Sequence, residues 1–422
     1  MTFDDIQVMS LRDQQKIRNG WQENRLQNLL PALMEEHGLD MWIVACKEDN
    51  QDPVLSTLLP QGLSADENVV LPPVGNQIII VFSLLPQGKV ERLLISSLKL
   101  RDLYENIWDE RTETDWECLS RIIKEKNPKK IGINISETFS HADGLTFNQY
   151  KLLLRSIGSH ANRVTSAEKL VVKWLQQRIP EELDFYPHIA EIGHAIIAKA
   201  FTNEIVIPGT TSVEDVGWWI RQCIRDHGLS SWFKPMVGMN RKGQQHMELS
   251  GVIQPGDMLF CDVGLNYMGL LTDTQRQAYV LNEDEMDVPD GLTHAMTICN
   301  QLQDIFLKTF KAGKSGNEIL SQIHEQAKKD HIEALISAHP IGTFGHGPGA
   351  PIGVWNQQNG VPGRGDYLIP DNTCYAMELC AICSIPQWDM QRIPFHLEQT
   401  IMLQNQYTTC LDSRQTEFYI IS

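Results

Sequence analysis

Basic residues are scarce in this chain: Lys and Arg number 36 against 53 Asp and Glu, for a formal net charge of −17. Nucleic-acid binders need cations to displace the counterions of phosphates, so no generic nucleic-acid partner is expected. An anionic membrane surface is an equally poor partner. Long hydrophobic runs are also missing. The longest, Ile78 to Leu85, is broken by Ser83 and falls far short of the roughly 20 residues of a spanning helix. The opening MTFDDIQVMSLRDQQ starts with acids and has no apolar core, so it does not read as a secretory signal. Internal repeats and low-complexity tracts are lacking. So is a paired cysteine framework: the nine cysteines are odd in number and scattered. That pattern reads as reduced thiols in a cytoplasmic protein.

What is present is ordinary globular composition, 42% apolar and 21% charged, which argues against disorder. At about 150 residues per domain, 422 residues suggest two or three domains. The first part alternates helix and strand. Arg25–His37 has helical apolar spacing and stops at Gly38; Trp116–Lys126 reads as another helix. Asp40–Cys46, Gln77–Ser83 and Lys129–Ser136 read as strands. The second part opens on helices. Pro180 with Glu181 and Glu182 makes a favourable first turn, and Ser212/Asp215 and Ser315/Glu318 resemble capping boxes. Strand-like segments follow at Asp257–Gly264, Leu270–Leu281, Cys374–Cys383 and Phe395–Leu403. The expected fold is therefore an α/β domain over residues 1–164 and an α+β domain over 165–422.

Four acids interrupt apolar strands in the second domain. A hairpin centred on Tyr267 and Met268 would place Asp262 opposite Asp273. An antiparallel pair centred on Trp388 would place Glu378 opposite Glu398. Carboxylates buried together must be paired, protonated or metal-bound. The glycine-rich loop Ser337–Gly353 adds His339 and His346. One imidazole with four carboxylates suits two divalent cations, Mn(II) first, with Co(II), Zn(II) or Fe(II) as alternatives.

The segments PGDMLFCDVG…TDTQR, HPIG, MEL and HLE, in this order over about residues 165–405, resemble the motifs of the pita-bread metallopeptidases. That group includes aminopeptidase P, prolidase and methionine aminopeptidase, with creatinase as a metal-free relative. The first domain is similar to the N-terminal domain of aminopeptidase P, prolidase and creatinase. The resemblance implies a pita-bread fold, with a curved, mostly antiparallel sheet flanked by helices. It implies that Asp262 is a terminal ligand of one metal, that His339 and Glu378 are terminal ligands of the other, and that Asp273 and Glu398 bridge both. His339 fits the ligand position, with His346 seven residues on as a catalytic histidine; GHGPG around His346 also resembles the ligand motif of methionine aminopeptidase. His246 matches the group's other catalytic histidine, and Glu378 its general base.

By the same resemblance, the expected activity is an Xaa-Pro aminopeptidase acting on short peptides as a homodimer, with a metal-bridging hydroxide as nucleophile. Prolidase activity, or a non-peptide C–N hydrolase or lyase on the same scaffold, is the alternative; an inactive binding protein is a third. One departure stands out. His396 lies two residues before Glu398, where the group often has Arg.

Overall fold

A computed structural model describes residues 1–47, 50–61, 77–98, 100 and 103–422. Two compact units result, Ser10–Leu175 and Met1–Met9 with Gln176–Ser422.

In the Ser10–Leu175 unit the helices are α1 (Leu11–Asn24), α2 (Leu30–Glu36), α3 (Asp115–Lys126), α4 (Phe147–Ile157) and α5 (Glu168–Gln176, whose last residue opens the other unit). The strands are β1 (Met41–Lys47), β2 (Gln77–Leu84), β3 (Val90–Ile95), β4 (Glu105–Asn106), β5 (Ile131–Ile133) and β6 (Val164–Ser166). They form one mixed sheet in the order β4-β3-β2-β1-β5-β6. Apolar strands pack on capped helices, as the alternating pattern requires. Thr114 and Glu117 reciprocally cap α3, whose Cys118, Leu119, Ile122 and Ile123 join the core beneath β1 and β2. The helix expected over Arg25–His37 starts as a π-helical turn at Arg25–Leu29 before α2, and Gly38 ends it at φ +60°. The unit runs beyond residue 164 because Trp174 is anchored in it. The Trp174 indole donates to Thr57 Oγ1 at 2.8 Å, and the Arg25 guanidinium lies 4.5 Å above its ring.

The second unit carries α6 (Pro180–Ala200), α7 (Val213–Asp226), α8 (Asp290–Thr309) and α9 (Gly316–Lys329). Its strands are β7 (Met236–Asn240), β8 (Met258–Val263), β9 (Asn266–Tyr267), β10 (Leu270–Leu271), β11 (Thr274–Val280), β12 (Ala334–Ile336), β13 (His339–Ile341), β14 (Thr373–Ile385), β15 (Gln391–Gln404), β16 (Tyr407–Cys410) and β17 (Tyr419–Ile421). A nine-stranded sheet runs β12-β14-β15-β11-β8-β7, with β13 on β14, β16 on β15 and β17 on β11. Within this sheet only β11 and β17 pair in parallel. Both expected caps form: Ser212 with Asp215 on α7, and Ser315 with Glu318 on α9.

Strand periodicity divides the long β14 and β15 between two tasks. Tyr375, Met377, Leu379, Phe395 and Leu397 join the core with Leu292, Met296, Leu302 and Phe306 of α8 and Ile319 and Ile323 of α9. The alternate positions, Glu378, His396 and Glu398, face the other way. Cys380 and Cys383 are buried free thiols, as are most of the nine cysteines. Among the described residues, no helix is long and apolar enough to cross a membrane.

A candidate dinuclear metal centre

Four strands lay polar residues in one line across the sheet. Asp262 on β8 pairs with Gln275 on β11, Gln275 with Glu398 on β15, and Glu398 with Glu378 on β14. Directly opposed residues share a face, so three carboxylates and one carboxamide point together. The Glu378–Glu398 pairing is the one expected from a turn centred on Trp388.

The Asp262–Asp273 pairing is not. The turn lies at Met268 and Gly269, with Tyr267 opposite Leu270, and so Asp262 meets Gln275. Both turn residues have positive φ, +60° and +73°. A two-residue hairpin of this twist demands that conformation twice, and Gly269 supplies it without strain. Centring the turn on Tyr267 would have put a bulky aromatic there. Asp273 instead lies across from Thr400. Its N–H donates to Thr400 Oγ1 and its carbonyl accepts from that hydroxyl, both at 2.8 Å.

Two triads of possible ligand atoms converge, Asp262/Glu378/Glu398 and Asp273/His339/Glu398, each within 4.8 Å. Glu398 belongs to both. The resemblance grouped Glu378 with His339; here Glu378 falls in the triad with Asp262 and His339 in the triad with Asp273, with Glu398 common to both. His339 Nε2 lies 3.9 Å from Asp273 Oδ2, while its Nδ1 sits 3.2 Å from the Pro340 carbonyl. His346 is outside both triads. Its ring lies edge-on to His339, 4.6 Å between centroids, and edge-on to Trp232 at 5.2 Å. His246 is exposed on the segment after β7, and among the described residues no hydrogen bond or ring contact ties it to the carboxylates.

Electrostatics follow from burial. Desolvation pushes Asp262 up to about 6. Desolvation and then the Asp262 charge push Glu378 up to about 7. Asp273 and Glu398, 5% and 1% exposed, are driven well above the carboxylate range by burial first and by neighbouring carboxylates second. Burial lowers His339 to about 4 and lowers His346 as well, favouring the neutral imidazole at both.

Does this set fit divalent cations? Asp262 Oδ1, Asp273 Oδ1 and both oxygens of Glu398 make no hydrogen bond of ordinary geometry among the described residues. Buried carboxylate oxygens without donors are costly unless a cation or a proton neutralises them. His339 is neutral and offers Nε2 to the same space. Mostly oxygen donors with one imidazole suit hard to borderline divalent ions. The residues fit.

Two neighbours, Gln275 and Trp232, were not read beforehand. Gln275 donates through Nε2 to Glu378 Oε1 at 2.9 Å and to Asp262 Oδ2 at 3.3 Å. Its signal was present, since it lies two residues after Asp273, at the start of β11. Trp232 backs His346, its indole donating to the Thr272 carbonyl at 3.0 Å. Gly264 and Gly345 make room for it: a Cβ on either would come within 2.2 Å of the indole. No local pattern announces that contact. His396 packs against Trp355 and Phe260, ring centroids 5.3 and 5.8 Å away. Burial holds it neutral, near 4. Where an Arg would place a fixed cation, this face is neutral and aromatic.

The model of metallopeptidase family M24 matches residues 186–404. Among curated protein sequences no match is found. Solved structures share the fold at low identity. An X-Pro aminopeptidase from Thermotoga maritima MSB8 is 15% identical, with a TM-score of 0.62 over 92% of this chain and 99% of that one. An Xaa-Pro dipeptidase from Bacillus anthracis is 18% identical, with a TM-score of 0.63 over 95% and 99%. The N-terminal domain of FACT complex subunit SPT16 from Cicer arietinum (chickpea) is 12% identical, with a TM-score of 0.60 over 96% and 99%. With the family's match spanning more than half of the chain, over the segment that carries all four clustered acids and the imidazole, this protein belongs to metallopeptidase family M24, the metal-dependent peptide hydrolases of the pita-bread fold.

Proposed function

We propose that the chain is a dinuclear metal-dependent exopeptidase that releases the N-terminal residue from short peptides with proline in second position. The observation that carries it is the convergence of Asp262, Asp273, His339, Glu378 and Glu398 with unsatisfied buried carboxylate oxygens. These five residues would hold two divalent cations, Mn(II) by preference. When bound, such cations polarise a scissile carbonyl and lower the pKa of water to near neutrality.

The chain's own groups supply the rest. Glu378 takes the proton of the attacking water on a carboxylate oxygen and passes it to the leaving nitrogen. In the metal-free protein the Gln275 amide donates to that carboxylate at 2.9 Å. Neutral His346, fixed edge-on against Trp232, donates a hydrogen bond to the substrate. His246 in a similar role rests on the family resemblance alone. Proline in second position is favoured by the same resemblance, and a prolyl nitrogen asks for no acceptor because it carries no N–H. A homodimer and a cytoplasmic location complete the reading; the nine free cysteines are consistent with a reducing compartment.

Prolidase activity is the second reading, and a non-peptide C–N hydrolase or lyase the third. The neutral His396–Trp355–Phe260 face favours the first, because a dipeptidase must recognise a free carboxylate next to the scissile bond and a fixed cation does that best. An inactive binding protein would have no use for five converging ligands. The test is hydrolysis of an Xaa-Pro-Yaa tripeptide beside an Xaa-Pro dipeptide, on chelator-stripped protein restored with Mn(II). Metal-dependent cleavage of the tripeptide is expected. Cleavage of the dipeptide alone means prolidase. Cleavage of neither, with metal bound, sends the search to non-peptide substrates.

A further inference from the structure

Gln275 is the one group in the polar row that is not ionisable, and it sits among the carboxylates rather than beside them. It is 2% exposed. Its Nε2 donates to Glu378 Oε1 at 2.9 Å and to Asp262 Oδ2 at 3.3 Å, while its own Oε1 has no hydrogen bond of ordinary geometry. One amide nitrogen thus bridges two carboxylates of the Asp262/Glu378/Glu398 triad. That is what a cation would do in the same place, with less charge.

We propose that Gln275 competes with the cations for Asp262 and Glu378, and so sets how tightly this centre holds metal. The inference rests on reading the cluster as a metal centre. An N–H donor cannot coordinate a cation, and the lone pairs it engages are withdrawn from coordination. Hydrogen bonds to carboxylates are among the stronger ones, so giving them up on metal binding is a real cost. The backbone positions of the acids do not depend on these bonds. Asp262 and Glu378 stand on strands whose register is set by continuous pairing on either side. Competition therefore outweighs preorganisation. In the metal-free protein the same bonds screen the carboxylates from one another, so Gln275 stabilises the stripped protein while weakening its grip on metal.

The two effects have opposite signs, and that makes them separable from a general structural role. Full-length protein stripped by chelator would be titrated with Mn(II) in a calorimeter, as wild type, as Gln275→Met (similar length, no N–H) and as Gln275→Asn (a carboxamide one methylene short of spanning both acids). Melting temperatures of the stripped proteins would be recorded at pH 8. Both variants should bind Mn(II) about tenfold tighter or more, while melting lower than wild type when stripped. If one variant does not fold, the other decides. Unchanged or weaker Mn(II) binding in a folded variant overturns the inference and leaves the metal centre standing. No binding in wild type or variants removes the metal centre itself, and the inference with it.

Discussion

Replacing Glu378 by Gln in the metal-free protein is expected to stabilise it, increasingly so as the pH rises. Burial and the Asp262 charge hold this carboxyl at about 7, against 4.5 for an exposed glutamate. The sign follows from linkage. A group whose folded value is raised contributes its stability below the unfolded value and loses it as the pH climbs through the folded one. At pH 5 the folded carboxyl is still protonated and little is lost; by pH 8 the loss has grown to roughly 3 kcal/mol. The substituted carboxamide never ionises, and it still accepts the hydrogen bond from Gln275. Relative to wild type, the stripped Glu378→Gln protein should therefore gain roughly 2–3 kcal/mol between pH 5 and pH 8. For a unit of this size that is a widening of about 5–10 °C in melting temperature. Asp262, held at about 6, shares the same titration, so the gain belongs to the pair. The assay is thermal unfolding of both chelator-treated proteins at several pH values. A gap that stays constant or closes between pH 5 and pH 8 would refute the idea that these acids are buried against one another. With Mn(II) restored the order should reverse, because wild type keeps a ligand that the variant has lost.

Two further outcomes test the histidines. His339→Ala should reduce bound Mn(II), measured by elemental analysis after dialysis, whereas His346→Ala should keep the metal and lower kcat by about 100-fold or more; equal metal loss in both would make His346 a ligand. Gly264→Ala should displace Trp232, because the new methyl would meet the indole at 2.2 Å. It is expected to cost about 1–3 kcal/mol by overpacking and to lower activity through His346, read by unfolding and by kcat; a stable, fully active variant would show that Trp232 does not hold His346.

How much of this was legible beforehand depended on whether a local rule applied. The caps at Ser212 and Ser315, and the strands containing Glu378 and Glu398, followed from short-range patterns. The pairing of Glu378 with Glu398 followed from a turn near Trp388. The hairpin after Asp262 was misplaced because apolar alternation does not locate a turn. Positive φ at Met268 and Gly269 does, and that is a backbone property. Moving the turn brought Gln275, not Asp273, opposite Asp262.

The sequence by itself determined an acidic, two-part α/β and α+β protein, and named five ligand-type residues whose spacing resembles one family. Period-two strands and capped helices are local consequences of side-chain chemistry, so they can be read from a linear string. Only the tertiary structure decided that Glu398 is shared by two triads, that Gln275 lies between Asp262 and Glu378, and that Trp232 backs His346. Those contacts join residues far apart in the chain. They depend on register, on the order of strands in the sheet and on which glycines leave room for a ring, none of which any single segment encodes.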